Sequence, residues 1–135
     1  MDTEGNKIKK FLEAPKFAVC GASSNRHKYG NKVLRCYLQN NRQAVPINPN
    51  EGEVEGLITY PSLKDLPEAI ESVSIITPPA VTEKVVDDAI KSGVKHLWMQ
   101  PGAESRSAIE RAESAGLNVI YGGACVLVVL GYHEF

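Results

Sequence analysis

Short apolar runs alternate with amphipathic stretches along the whole chain. Phe17-Ala-Val-Cys20, Gln43 to Ile47, Val73-Ser-Ile-Ile-Thr77, Lys95 to Met99 and Leu117 to Tyr121 are short and rich in apolar residues. Runs of that kind suit strands buried on both faces, as in a parallel sheet covered by helices. Between them the apolar residues recur at three and four. Val33, Leu34, Tyr37 and Leu38 follow Gly30-Asn31. Val81, Val85, Val86, Ala89 and Ile90 share a face within Val81 to Ser92, which Gly93 closes, and Ser105 to Ala115 is closed by Gly116. Thr3 to Ala14 predicts a further short helix, with Ile8, Phe11 and Leu12 on one face, ended by Pro15.

Weaker segments complete the reading. Glu51 to Glu55 reads as a polar turn and Leu57-Ile-Thr-Tyr60 as a short extended piece. Pro61-Ser-Leu opens a short helix running to about Ala69, with Ser62 as its N-cap and Asp65 three residues on. Val126 to Leu130 is apolar throughout and is expected to be an extra strand or a segment that docks on a partner.

Strands alternating with helices at this spacing predict an α/β fold: a three-layer, Rossmann-like, doubly wound domain with a mostly parallel sheet of five or six strands. Its 135 residues fit a single domain, 1–135, large enough for a proper core. In such sheets ligands lie beyond the carboxyl ends of the strands. The segments expected there are Gly21 to Gly30, Asn48-Pro-Asn, Thr77-Pro-Pro-Ala, Gln100-Pro-Gly-Ala-Glu and Gly122-Gly-Ala-Cys. The first is the most telling. A strand ends at Gly21, a small cationic loop follows, and Gly30 opens a helix. Free amides at a helix start, with the helix dipole behind them, favour an anion.

Composition narrows the ligand. Charged residues make up 23% of the chain and the net charge is −1, so there is no general pull toward nucleic acid or an anionic membrane. No apolar run approaches the roughly 20 residues of a membrane span, and the start, Met1-Asp-Thr-Glu-Gly-Asn-Lys, lacks the apolar core of a signal peptide. Three cysteines, Cys20, Cys36 and Cys125, lie in no zinc spacing and suggest reduced thiols in a cytoplasmic setting. The dinucleotide fingerprint G-x-G-x-x-G is absent, since positions 23 and 26 are Ser and Arg. Asn48-Pro49 stands where an acid would hold ribose hydroxyls. Arg26, His27, Lys28 and Arg42 instead suit a ligand with more phosphate than NAD carries, such as NADP or coenzyme A. The P-loop lysine and hydroxyl pattern is missing, which argues against nucleotide hydrolysis.

Several motifs in order carry a resemblance: Gly21-Ala-Ser-Ser, Lys28-Tyr-Gly-Asn31, Val45-Pro-Ile-Asn-Pro49, Gly56, Tyr60-Pro-Ser-Leu63, Leu66-Pro, Thr77-Pro-Pro79 and Trp98-Met-Gln-Pro-Gly102. Over residues 5 to 125 the chain resembles the small stand-alone CoA-binding domain family, which is similar to the amino-terminal domain of the α subunit of succinyl-CoA synthetase. The resemblance implies a glycine loop that receives the CoA pyrophosphate, with phosphates near Ser23 and Lys28. It implies that the turn after the second strand and Pro78-Pro79 flank the adenosine or the pantetheine arm. The synthetase's phosphorylated histidine lies in a second domain, so no ligase activity carries over. The apolar ending from Val126 departs from the family's usual one.

The cofactor-binding candidates are therefore Gly21, Ala22, Ser23, Ser24, Arg26, Lys28, Tyr29 and Gly30 in the loop, and Asn48 and Pro49 after the second strand. Thr77, Pro78 and Pro79 follow the third, and Gln100, Gly102 and Cys125 lie at the far side of the edge. Cys125 could meet a thioester or the CoA thiol, or simply be a small buried residue. His96 and Trp98 read as packing, and Gln100 and Glu104 as ligand contacts or helix caps. No catalytic residue and no metal ligand is assigned. The expectation is a cytoplasmic, non-catalytic module for CoA or a short acyl-CoA, with a homodimer through the apolar C-terminal segment left open. The alternatives are an NADP-dependent oxidoreductase and a dimeric regulatory or scaffold protein with a vestigial nucleotide site.

Overall fold

The computed structural model describes residues 2–134; Met1 and Phe135, the ends of the expected domain, lie outside the described residues. Its centre is a five-stranded, all-parallel sheet. The strands are β1 (Lys16–Cys20), β2 (Gln43–Ile47), β5 (Ser72–Ile75), β6 (His96–Met99) and β7 (Asn118–Ile120), in the order β2-β1-β5-β6-β7. β3 (Glu53–Val54) and β4 (Leu57–Ile58) form a small antiparallel hairpin outside it. The helices are α1 (Glu4–Leu12), α2 (Tyr29–Gln39), α3 (Pro79–Lys91) and α4 (Arg106–Ser114). The order reverses beside β1: α2 leads outward to β2, whereas α3 and α4 lead the other way to β6 and β7. This is the Rossmann-like, doubly wound arrangement the pattern predicts.

Because both faces are covered, successive side chains of each strand feed two cores. Ala18, Cys20, Val73, Ile75, Leu97, Met99 and Val119 pack with Val86 and Ala89 of α3 and Ala108 and Ala112 of α4. Phe17, Val19, Trp98 and Ile120 pack on the other side with Phe11 of α1 and Val33, Leu34 and Tyr37 of α2. Phe17 stacks on Tyr37 at 4.7 Å, and Phe11 meets Trp98 edge-on at 5.3 Å. Two buried serines of β5 face this second core and find partners there. Ser72 Oγ donates to the Phe11 carbonyl at 2.8 Å, and Ser74 Oγ shares a 2.5 Å hydrogen bond with Tyr37 OH. Pro46 is tolerated because β2 is an edge strand. Its carbonyl accepts from Tyr60 N, and Asn48 N donates back to the Tyr60 carbonyl, which covers that edge.

Four expectations need correction. The polar turn expected at residues 51–55 instead holds a strand, Glu53–Val54, which pairs with the extended piece expected from Leu57, the chain turning at Glu55 and Gly56, both at positive φ. The helix expected from Pro61 to Ala69 is a single 3-10 turn, Leu63–Asp65. Pro67 disfavours helical backbone at Leu66, which is extended. Ser62 does not cap that turn; its Oγ donates to Asp65 Oδ2 at 2.7 Å. The face of α3 that meets the sheet is Thr82, Val86 and Ala89, whereas Val81 and Ile90 are exposed. The fourth is the C-terminal segment, which is no sixth strand. Leu127–Gly131 forms a π-helical turn beside α2, with Val126 fully buried and Leu127 and Leu130 packed on the same core. The Trp98 indole N–H donates to the Ala124 carbonyl at 3.0 Å, pinning the chain as it crosses back from β7.

Candidate functional site

A cleft of about 570 Å³ opens at the carboxyl ends of β1, β2 and β5, where the strand order reverses. One wall is the β1–α2 loop, with Gly21, Ser23, Lys28, Tyr29 and Gly30. A second is the end of β2, Ile47 to Asn50, joined by Pro61, Ser62 and Leu63. The third is the end of β5 with the start of α3: Ile76, Thr77, Pro78, Val81, Lys84, Val85 and Asp88. Cys20 closes the floor.

Two glycines build the first wall. Gly21 has φ +95°, and a Cβ there would lie 1.9 Å from the Ile76 carbonyl oxygen. A Cβ on Gly30 would lie 2.0 Å from the Gly21 carbonyl oxygen. The first turn of α2 is thus seated on the turn that ends β1. Its N-cap, Lys28, makes no side-chain cap and its first turn holds no acid. The amides of Tyr29, Gly30 and Asn31 have no acceptor within the helix, so they offer donors beside a lysine ammonium. Asn48 ties this wall to the next: its Nδ2 donates to the Ala22 carbonyl at 2.8 Å and its Oδ1 accepts from Asn50 N at 2.8 Å.

The loop's outer donors are engaged by carboxylates. Glu51 accepts from Ser24 N at 2.5 Å and from Ser24 Oγ at 3.0 Å, and these bonds, the amide's foremost, hold its carboxyl below the ordinary range. Glu55 pairs with Arg26 at 3.3 Å and accepts from Asn31 Nδ2 at 3.1 Å. Asn31 Oδ1 in turn accepts from Arg35 Nε at 2.6 Å, and Arg35 Nη2 donates to the Arg26 carbonyl.

At the far side of the loop, Tyr29 OH donates to Gln100 Oε1 at 3.1 Å and lies 2.5 Å from Cys125 Sγ. Gln100 is fully buried; its Oε1 also accepts from Val126 N at 3.0 Å, and its Nε2 has no partner among the described residues. Burial first, then Cys125, pushes the Tyr29 hydroxyl well above its ordinary range, so it stays protonated.

Of the candidates, Gly21, Ser23, Lys28, Tyr29, Gly30, Asn48, Pro49, Thr77 and Pro78 line the cleft. Ala22 is buried in the core, and Ser24 and Arg26 are held by Glu51 and Glu55. Pro79 is the first residue of α3. Gly102 lines a separate groove of about 260 Å³ that shares Ile76, Thr77 and Pro78 with the cleft. Gln100 and Cys125 lie behind Tyr29. Glu104 accepts from Gly102 N at 2.9 Å, and the cap of α4 is Ser105. His96 sits partly buried against Asn118, far from the cleft at the opposite end of the strands, and burial lowers its pKa. Sequence reasoning missed Val81, Lys84, Val85 and Asp88. Their i, i+3, i+4, i+7 spacing was the available signal, but the valines read as packing. Among the described residues no group of three or more His, Cys, Asp or Glu is placed to hold a metal, and no helix is long and apolar enough to cross a membrane.

A sequence profile of a family described as the CoA binding domain matches residues 15–131. The chain is similar to an ADP-forming acetate–CoA ligase of Methanocaldococcus jannaschii, 33% identical over 87 residues, which are 64% of this chain and 12% of that protein. It spans only 12 to 28% of the length of the curated relatives it matches. Among solved structures it is similar to a conserved hypothetical protein from Pyrococcus furiosus, with TM-score 0.80 and 39% identity over 84% of this chain and 97% of that one. A hypothetical protein from Pyrococcus horikoshii OT3 gives TM-score 0.87 and 31% identity over 94% and 89%.

Proposed function

This chain belongs to the CoA binding domain family, and on that premise we propose that it is a non-catalytic module for coenzyme A or a short acyl-CoA. The diphosphate sits at the start of α2, on the amides of Tyr29 to Asn31 beside Lys28. The adenosine occupies the cleft between Pro49, Leu63 and α3. The pantetheine arm leaves over Thr77 and Pro78 along the groove toward Gly102. The observation that carries this is the seating of Gly30 on Gly21, which turns an uncapped helix start into the cleft at the strand-order reversal. The ligase chemistry of the longer relatives is a property of those proteins, of which this chain matches a fraction.

Isothermal titration tests the reading. Saturable heat with CoA or acetyl-CoA is expected, and no saturation at millimolar ligand overturns it. Saturation with NADPH but not with CoA favours a reductase instead. Three free thiols accord with a reducing, cytoplasmic compartment. Val128, 82% exposed, and Val129, 42% exposed, would be the contact of a homodimer through the C-terminal turn. Sedimentation of the full chain against a Val128→Lys variant decides that point, since a dimer would fall to a monomer.

A further inference from the structure

We infer that the α3 wall of the cleft holds a second phosphate, and that Lys84 is the residue that reads the 3′-phosphate of the coenzyme's adenosine. The assignment rests on the coenzyme reading above and adds to it which cation distinguishes the coenzyme from its dephosphorylated form.

Val81, Lys84, Val85 and Asp88 recur at i, i+3, i+4 and i+7, so they form one stripe along α3. All four line the cleft, while the adjoining stripe of Thr82, Val86 and Ala89 is buried on the sheet. The cleft therefore has two cationic residues on different walls: Lys28 at the start of α2 and Lys84 on α3. Arg26, the nearest arginine of the loop, is already held by Glu55. Lys84 enters no ion pair among the described residues, although Asp88 stands four residues on along the same helix. It is an exposed ammonium on a helix face that otherwise gives the cleft two valines and, a turn further on, Asp88.

Between the two lysines Ile47, Leu63, Val81 and Val85 give the cleft an apolar lining, with Ile47, Leu63 and Val85 packed in one core beneath it. A planar base fits such a slot, with charge needed only at its rims. A ligand that carries a diphosphate and, across a ribose, a separate phosphomonoester matches two cations on two walls. A ligand with the diphosphate alone satisfies Lys28 and leaves Lys84 unused. Asp88 lies roughly two and a half helical turns below the start of α3, toward Cys20 at the floor. Its carboxylate disfavours a phosphate deep in the slot and leaves Lys84, nearer the edge, as the favourable position.

The test is titration of the full chain with CoA and with 3′-dephospho-CoA, using wild type, Lys84→Met and Lys28→Met. Wild type is expected to bind CoA about tenfold more tightly than dephospho-CoA, the scale of one charge-assisted contact. Lys84→Met should bring the two ligands to near equality while leaving dephospho-CoA affinity unchanged. Lys28→Met should weaken both alike. Equal affinities in wild type overturn the assignment, as does a Lys84→Met variant that loses both ligands by the same factor. Absence of heat with either ligand overturns the coenzyme reading itself, and the Lys84 assignment with it.

Discussion

A Cβ on Gly30 would stand 2.0 Å from the carbonyl oxygen of Gly21, so the first turn of α2 rests on the backbone that ends β1. No side chain fits between them, and the helix start is brought to the floor of the loop. Gly30→Ala must push the two apart. Overpacking of this kind costs about 1–3 kcal/mol, or a few degrees of Tm in a chain of this length. Because the amides of Tyr29 to Asn31 move with the turn, CoA affinity should fall about tenfold in the same variant. Gly52→Ala is the control, since nothing lies within 4 Å of its Cβ. A Gly30→Ala protein that melts and binds like wild type would show that the close approach is dispensable.

The Glu51 carboxylate occupies two donors of the β1–α2 loop, Ser24 N and Ser24 Oγ. It follows Asn50 of the cleft lining and feels the charge of Lys28, so it repels an anion drawn to that lysine. Glu51→Gln should therefore tighten CoA binding, by a factor of about three to ten at low salt. The folded pKa of Glu51 lies below its ordinary 4.5, so the contact contributes fully above the unfolded value and is lost as pH falls through the folded one. In wild type the Ser24 amide proton resonance should titrate with a midpoint below 4.5, and in Glu51→Gln that step should vanish. Weaker CoA binding by the variant would mean that Glu51 serves the site by shaping the loop rather than by guarding it.

Much of this was legible in the sequence because the signals were long or redundant. Five apolar runs separated by helical periods allow few arrangements besides a covered parallel sheet, and the glycines at 21 and 30 bracket the loop that needs them. The failures have local causes. Val81 and Val85 recur at helical spacing whether they face a sheet or a cleft, and only the position of β5 relative to α3 decides. Two-residue strands such as Glu53–Val54 and Leu57–Ile58 have no period to detect. Val126 to Leu130 is apolar at every position, so strand and helix periods fit it equally. The contacts of Glu51 and Glu55 with the loop span 24 to 29 residues of chain, and no spacing rule anticipates them.

The shared hydrogen bond between Tyr37 OH and Ser74 Oγ is buried under the stacked ring of Phe17, and burial pushes the Tyr37 hydroxyl far above its ordinary range. Tyr37→Phe keeps the ring and strands the serine hydroxyl in an apolar core. A loss of about 1–3 kcal/mol is expected in urea unfolding. Ser74→Ala added to Tyr37→Phe removes the orphan, so the double variant should be more stable than the sum of the singles implies. Strict additivity would mean that water reaches the serine in the single variant.

The three thiols should differ sharply in reactivity. Cys20 and Cys36 are buried, and burial holds the Cys36 thiol up at about 11 and raises Cys20 as well. Cys125 is partly exposed, with Tyr29 OH 2.5 Å from its sulfur. Iodoacetamide should label Cys125 first in the folded protein, leaving the other two until denaturant is added; mass spectrometry of peptides reads the order. The tyrosine controls access to that sulfur. Its ring stands in the cleft wall and its hydroxyl packs against Sγ. Tyr29→Phe removes the atom in contact with the thiol while leaving the ring in place. Alkylation of Cys125 at pH 8 should speed up by about threefold as the sulfur is uncovered, and CoA affinity should change little, since the amides of α2 are untouched. Unchanged labelling in Tyr29→Phe would mean that the reagent reaches the sulfur without passing the hydroxyl.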